Sequence, residues 1–161
     1  MHHKNPVYLE PNEVFSDHRG QFFEVYKNKQ IKQLPKFVQD NVSRSVGGVL
    51  RGLHAQKKHP QGKLVTVISG RIFDVAVNIK TGSVNYFWLT SGQRVYVPPG
   101  HLHGFYCPIP STVLYKCTDF YSKGDEIGVR WDDPDLNIPW PVKRPIISVK
   151  DENWPLFKML K

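Results

Sequence analysis

The stretch Lys63-Leu64-Val65-Thr66-Val67-Ile68-Ser69-Gly70-Arg71-Ile72-Phe73-Asp74-Val75-Ala76-Val77-Asn78 decides the fold class. Both halves are rich in β-branched and aromatic residues, and the second alternates in part between apolar and polar positions. That is the pattern of strands. Ser69-Gly70 is a turn signal between them, so 63–78 reads as a hairpin. Working outward, similar short runs predict strands at 22–26, 37–41, 48–53, 86–89, 94–97, 104–107, 112–119 and 128–131. In the first half only 27–33 reads as a helix, stopped by Pro35. Many short strands and few helices mean a sandwich or a barrel. The tail holds Pro134, Pro139, Pro141, Pro145 and Pro155, which suits a segment wrapping over a surface rather than pairing inside a sheet.

The 161 residues fit one domain, with a core over about 17–131 and a wrapping tail over about 132–161. An apolar fraction of 40% and a charged fraction of 22% exclude a largely disordered chain. No apolar run approaches the roughly 18 residues of a membrane span. The net charge of +8 points to an anionic partner, but there is no basic stripe or nucleic-acid motif, so nucleic acid is not expected. Cys107 and Cys117 form no CxxC pattern and fit reduced thiols in a cytoplasmic protein. The start Met1-His2-His3-Lys4 has no apolar stretch behind its charge and does not read as a signal peptide.

Titratable groups concentrate in Arg51-Gly52-Leu53-His54-Ala55-Gln56 with Gln61-Gly62-Lys63, in Pro98-Pro99-Gly100-His101-Leu102-His103-Gly104-Phe105, and in Leu114-Tyr115-Lys116-Cys117-Thr118-Asp119-Phe120-Tyr121. The first two resemble the halves of a cupin jelly roll, an all-β double-stranded β-helix with short peripheral helices. Strand alternation places His54 and Gln56 on one face, opposite Leu53. Metal-binding cupins carry His-x-His and a downstream Glu; here Gln56 and Lys63 stand in those places, and a protonated Lys offers no lone pair. His101, His103 and Cys107 make only a loosely spaced ligand set, so neither metal nor other cofactor is expected. A His, a Lys and a Tyr without metal suit proton abstraction α to a ketone. His54 would take the carbon-bound proton, Lys63 would stabilise the enolate, and Tyr115 would return a proton from the other face.

Eight motifs occur in order: Phe37-Val38-Gln39-Asp40-Asn41-Val42-Ser43-Arg44-Ser45, Gly48-Val49-Leu50-Arg51-Gly52-Leu53-His54, Gln61-Gly62-Lys63-Leu64-Val65, Phe73-Asp74-Val75-Ala76-Val77, His103-Gly104-Phe105, Tyr115-Lys116-Cys117-Thr118-Asp119, Arg130-Trp131-Asp132-Asp133-Pro134 and Ser148-Val149-Lys150-Asp151. Together they closely resemble the dTDP-4-dehydrorhamnose 3,5-epimerase family from about residue 17 to 151. The resemblance implies a metal-independent jelly roll, a homodimer that exchanges N-terminal strands, and a nucleoside-diphosphate 4-keto-6-deoxy sugar as substrate. By matched motif it implies His54 as base, Asp151 as its partner, Tyr115 as proton donor and Lys63 beside the keto oxygen. It implies Arg19, Glu24, Gln39, Asn41, Arg51, His103, Glu126 and Lys150 as substrate contacts, with Tyr121 beside them. Arg19, Arg51, Lys63 and Lys150 would gather around the diphosphate. Two positions depart from the family, Ala55 where an aromatic is usual and Val42 where His is common, and both are expected to enlarge or reshape the pocket; the segment between Lys80 and Arg94 is also shorter than in the family.

Each role has a plainer competitor. Lys63 also reads as a solvated edge-strand Lys, Asp151 as a helix N-cap, and Tyr121 as a rival donor to Tyr115. At the level of function the competitors are a nucleotide-sugar 3,4-ketoisomerase of the cupin class and a non-catalytic sugar-binding jelly roll.

Overall fold

The computed structural model describes residues 4–9, 13–27 and 34–160. Among the described residues there are twelve strands: β1 (Val7–Leu9), β2 (Val14–Asp17), β3 (Gly20–Phe23), β4 (Gln39–Ser45), β5 (Val49–Gln56), β6 (Lys63–Ser69), β7 (Arg71–Asn78), β8 (Val84–Thr90), β9 (Arg94–Val97), β10 (His101–Cys107), β11 (Ser111–Cys117) and β12 (Glu126–Gly128). One short helix, α1 (Val149–Glu152), lies in the tail. No described helix is long and apolar enough to cross a membrane.

Two antiparallel five-stranded sheets face each other as a jelly roll. One runs β1-β9-β6-β11-β4 and the other β12-β5-β10-β7-β8, while β2 and β3 form a separate hairpin. The alternation along each strand decides what lies between the sheets. Val65 and Val67 of β6, Ile72 and Ala76 of β7, Val95 and Val97 of β9, Phe105 and Cys107 of β10, and Val113 of β11 form a buried interior cluster. The opposite face of the second sheet buries Leu50, Leu53, Ala55, Phe73, Val75, Val77 and Leu102 under the tail residues Ile138, Trp140, Val142 and Ile147. The proline-rich tail therefore wraps as its composition predicts. Among the described residues its isolated β-bridge to a sheet joins Ile146 to Val49 in parallel.

The predicted hairpin is β6–β7, with Gly70 at φ +87° and no room for a Cβ against Ser111. Several boundaries differ from the sequence reading. The expected strand at 22–26 is β3, which ends at Phe23, and that at 128–131 is β12, which ends at Gly128. The run at 48–53 continues to Gln56, carrying His54 inside a strand. Strands β1 and β2 were not predicted, being only three and four residues long and mostly exposed. In the expected helix at 27–33, Lys27 is irregular and residues 28–33 lie outside the described residues.

Candidate active site

The site begins with an irregularity in β5. His103 of β10 pairs with His54, but Phe105 pairs with Arg51, so β5 carries one extra residue there. Gly52, at φ +124°, lies at this bulge, where a Cβ would fall 2.5 Å from the Gly104 Cα. The bulge shifts the alternation by one. Arg51 and His54, three residues apart, therefore share the interior face, while Leu50 and Leu53 share the outer one.

His54, Arg51 and His103 of one sheet and Lys63, Tyr115 and Arg44 of the other line a cavity of about 800 Å³, which Ser148, Lys150 and Asp151 of the tail complete. A second cavity of about 250 Å³ shares His54, Lys63 and Tyr115 and adds Gln39, Asn41, Tyr121 and Glu126. The structure thus brings together eleven of the thirteen expected site residues. Arg19 and Glu24 line neither cavity. Arg19 sits at the β2–β3 turn, paired with Asp17, and Glu24 pairs with Lys27. Within one chain, then, the expected four-cation cluster contains Arg51, Lys63 and Lys150 but not Arg19. Of the two departing positions, Val42 is exposed on the cavity wall. Ala55 borders the smaller cavity but packs in the outer core with Leu53, so it acts on the site from behind rather than opening it.

His54 Nε2 lies 2.6 Å from Asp151 Oδ1. Asp151 is not an N-cap. Ser148 caps α1 by accepting the Asp151 N–H, and this frees the Asp151 carboxylate for the imidazole. Burial opposes ionisation of Asp151, but the His54 hydrogen bond and charge and the Gly52 N–H outweigh it and hold its pKa below the ordinary value. With Nε2 so engaged, Nδ1 faces Glu126 Oε1 at 3.8 Å. Glu126 also accepts from Tyr121 Oη at 2.8 Å and Lys150 Nζ at 2.5 Å. Its pKa, which burial would raise, is lowered by these two partners. The Trp154 ring stands edge-on to His54, 6.1 Å between centroids, in space that Gly128 leaves free.

Lys63 is not an edge residue, because β6 is the central strand of its sheet. Burial lowers its pKa against the opposing fields of its neighbours. The Cys117 thiol, itself pushed up by burial, is neutral near pH 7, so the carboxylates of Glu126 and Asp74 supply that opposing field. Burial raises the Tyr115 pKa, which keeps its phenol protonated. Its hydroxyl has no partner among the described residues, whereas Tyr121 is committed to Glu126. Arg51 is held by Ser45 Oγ and the Arg44 carbonyl of β4. Ser148, Arg44, Trp154 and Asp74 were not picked out from the sequence. A Ser three residues before Asp151 was a legible capping signal; the others needed the sheet register. Of the loose ligand set, His101 is turned to the Pro98 carbonyl and His103 to Asp74.

A base held by a carboxylate, a phenol on the facing sheet with no partner among the described residues, a half-buried amine and several cations in one cavity suit proton transfer at a carbon next to a carbonyl of an anionic substrate. The comparisons with known proteins agree. The family model for dTDP-4-dehydrorhamnose 3,5-epimerase matches residues 4–159. A dTDP-4-dehydrorhamnose 3,5-epimerase of Methanothermobacter thermautotrophicus is 43% identical, over 92% of this chain and 87% of that protein. The crystal structure of the 3,5-epimerase RmlC from Legionella pneumophila in complex with dTDP-4-keto-L-rhamnose is 37% identical at a TM-score of 0.89, over 97% of this chain and 89% of that one. ChmJ, a 3'-monoepimerase from Streptomyces bikiniensis solved with dTDP-quinovose, is 28% identical at a TM-score of 0.86, over 98% and 88%. The chain belongs to the dTDP-4-dehydrorhamnose 3,5-epimerase family, carbohydrate epimerases of the isomerase class.

Proposed function

We propose that this protein inverts C3, C5 or both of a dTDP-linked 4-keto-6-deoxy sugar. One observation carries the reading: the His54–Asp151 pair and the unpartnered Tyr115 hydroxyl line one cavity from opposite sheets. His54 takes the proton from the carbon α to the ketone, and the C–H electron pair becomes the C=C bond of an enolate. Lys63 stabilises the enolate oxygen; the charge developing there favours the ammonium form that burial disfavours. Tyr115 donates its proton to the opposite face of the same carbon, which inverts it. Solvent then restores the phenol and takes the proton from His54, so the net reaction is an isomerisation. Arg51 and Lys150 hold the diphosphate, and Gln39 and Asn41 make further substrate contacts.

The same reading extends to assembly and place. The β2–β3 hairpin belongs to neither main sheet and exposes Phe15 and Phe22, 52% and 66% accessible. A second copy of the chain covers it in a homodimer, which carries Arg19 and Glu24 to the partner's cavity. The free thiols Cys107 and Cys117 suit the reducing cytoplasm.

The test is NMR in deuterated water with a dTDP-4-keto-6-deoxyhexose. Exchange at C3 and C5, lost in His54→Asn, supports a double epimerase, and exchange at one carbon identifies a mono-epimerase. Binding of the nucleotide sugar without exchange at either carbon overturns the reading in favour of a binding module.

A further inference from the structure

Asp74 is 0% exposed, in the interior row of β7 with Ile72 and Ala76. Its Oδ2 meets His103 Nε2 at 2.8 Å, and its Oδ1 has no partner among the described residues. A buried carboxylate with one orphaned oxygen is costly, and an apolar residue of similar size is often neutral or stabilising in such a place. Stability therefore does not account for Asp74. Its neighbours give it another role. His103 lines the larger cavity and stands directly across from His54 in the β5–β10 ladder. Its Nε2 is spent on Asp74, which leaves Nδ1 as the atom without a protein partner among the described residues. Lys63 lines the same cavity from the facing sheet.

We propose that Asp74 is a positioning residue for the enolate oxygen: it accepts from His103 Nε2 and so orients the ring, so that His103 Nδ1–H and the Lys63 Nζ converge on the keto oxygen. This rests on the epimerase reading and divides the labour of two adjacent histidines. His54, paired with Asp151, takes the carbon-bound proton. His103, held by Asp74, serves the oxygen. The charged and titratable groups around His103 include Asp74 on β7, His54 and Arg51 on β5, and Lys63 and Tyr115 on the facing sheet; Lys63 also feels Cys117 on β11 and Glu126 on β12. Removing the Asp74 charge withdraws one of the carboxylates that oppose the lowering of the Lys63 pKa.

The experiment compares wild type with Asp74→Asn, which keeps the shape and removes the charge. The expected result is a kcat lower by about 10- to 100-fold, short of the 10²–10⁴ lost with an acid–base group itself, at nearly constant KM. The alkaline limb of the pH profile is expected to move to lower pH. A variant with wild-type kcat and limb overturns the proposal. So does one that only melts earlier or loses kcat without moving the limb, because a structural role alone would do that. Imidazole ¹⁵N NMR of the wild type is the second measurement, and it serves even where Asp74→Asn does not fold. Both His103 nitrogens protonated near pH 7 supports the proposal, and an unprotonated nitrogen overturns it. This readout needs no turnover, so it separates failure of the proposal from failure of the epimerase reading.

Discussion

Arg51 and His54 lie three residues apart on one strand and face the same cavity, because a bulge at Gly52-Leu53 sits opposite Gly104. Regular alternation would send one of them into the outer core. The site therefore depends on two glycines that carry no chemistry. A Cβ on Gly104 would fall 2.7 Å from the Arg51 carbonyl oxygen, and one on Gly52 2.5 Å from the Gly104 Cα. Both obstacles are backbone and cannot swing aside.

Gly52→Ala is accordingly expected to cost about 2–5 kcal/mol, combining overpacking with a strained positive φ. At this chain length that lowers Tm by roughly 5–15 °C. Solvent exchange at the sugar carbons should fall in the fraction that still folds, since Arg51 and His54 no longer share a face. Thermal denaturation and the exchange assay check it; wild-type Tm and exchange would show that the bulge is dispensable.

The strands and the site were unequally legible in the sequence. The β6–β7 hairpin was readable because composition, alternation and Ser69-Gly70 all point one way. His54, Lys63 and Tyr115 were readable from motif order, and the structure places all three on one cavity. The plainer readings of Asp151 and Lys63 could be settled only in three dimensions. Ser148 takes the cap and leaves Asp151 to His54 across 97 residues of chain, and β9 and β11 flank β6 and enclose Lys63. A strand's neighbours are not written in its own sequence. The shift that joins Arg51 to His54 is likewise a property of pairing with β10.

Asp151 links the site to pH. Its pKa is lowered in the folded state, so its contribution to stability is fully present above the unfolded value of about 3.9 and is lost as pH falls through the folded value. Asp151→Asn should be less stable than wild type by about 1–3 kcal/mol near pH 7. The difference should shrink as pH drops below about 4. Denaturant melts at several pH values check this, and a difference that is constant down to acid pH would remove the ionised Asp151–His54 contact from the account. Product formation should fall by about 10²–10⁴, because the amide no longer stabilises the protonated base.

The two tyrosines divide by their partners. The Tyr115 hydroxyl has no partner among the described residues and a raised pKa, whereas Tyr121 donates to Glu126. Tyr115→Phe should leave His54 able to exchange the α proton on its own face while lowering epimerised product by about 10²–10⁴. Tyr121→Phe should keep product formation within about tenfold of wild type, since it loses one hydrogen bond to a carboxylate that Lys150 still holds. Following deuterium incorporation and product in one NMR experiment distinguishes them. If Tyr121→Phe is the variant that exchanges without producing, the donor is Tyr121.

Arg19 lines neither of the two cavities that hold His54 in its own chain and sits on a hairpin with two exposed phenylalanines. If the hairpin serves a second copy, Arg19 and His54 of one working site come from different chains. Arg19→Ala should then raise KM for the nucleotide sugar by roughly 10-fold or more, the loss of a charge-assisted contact to phosphate of about 1.5–3 kcal/mol. His54→Asn should be inactive. Mixing the two after subunit exchange should recover activity, since each mixed dimer contains one site with both residues intact. Random reassortment of equal amounts restores about a quarter of the wild-type sites. Arg19→Ala is only weakened, so the comparison is made at substrate concentrations well below its KM, where its own sites contribute little. Activity no higher than the sum of the separate variants would place Arg19 outside the partner's site, whatever the oligomeric state measured by light scattering.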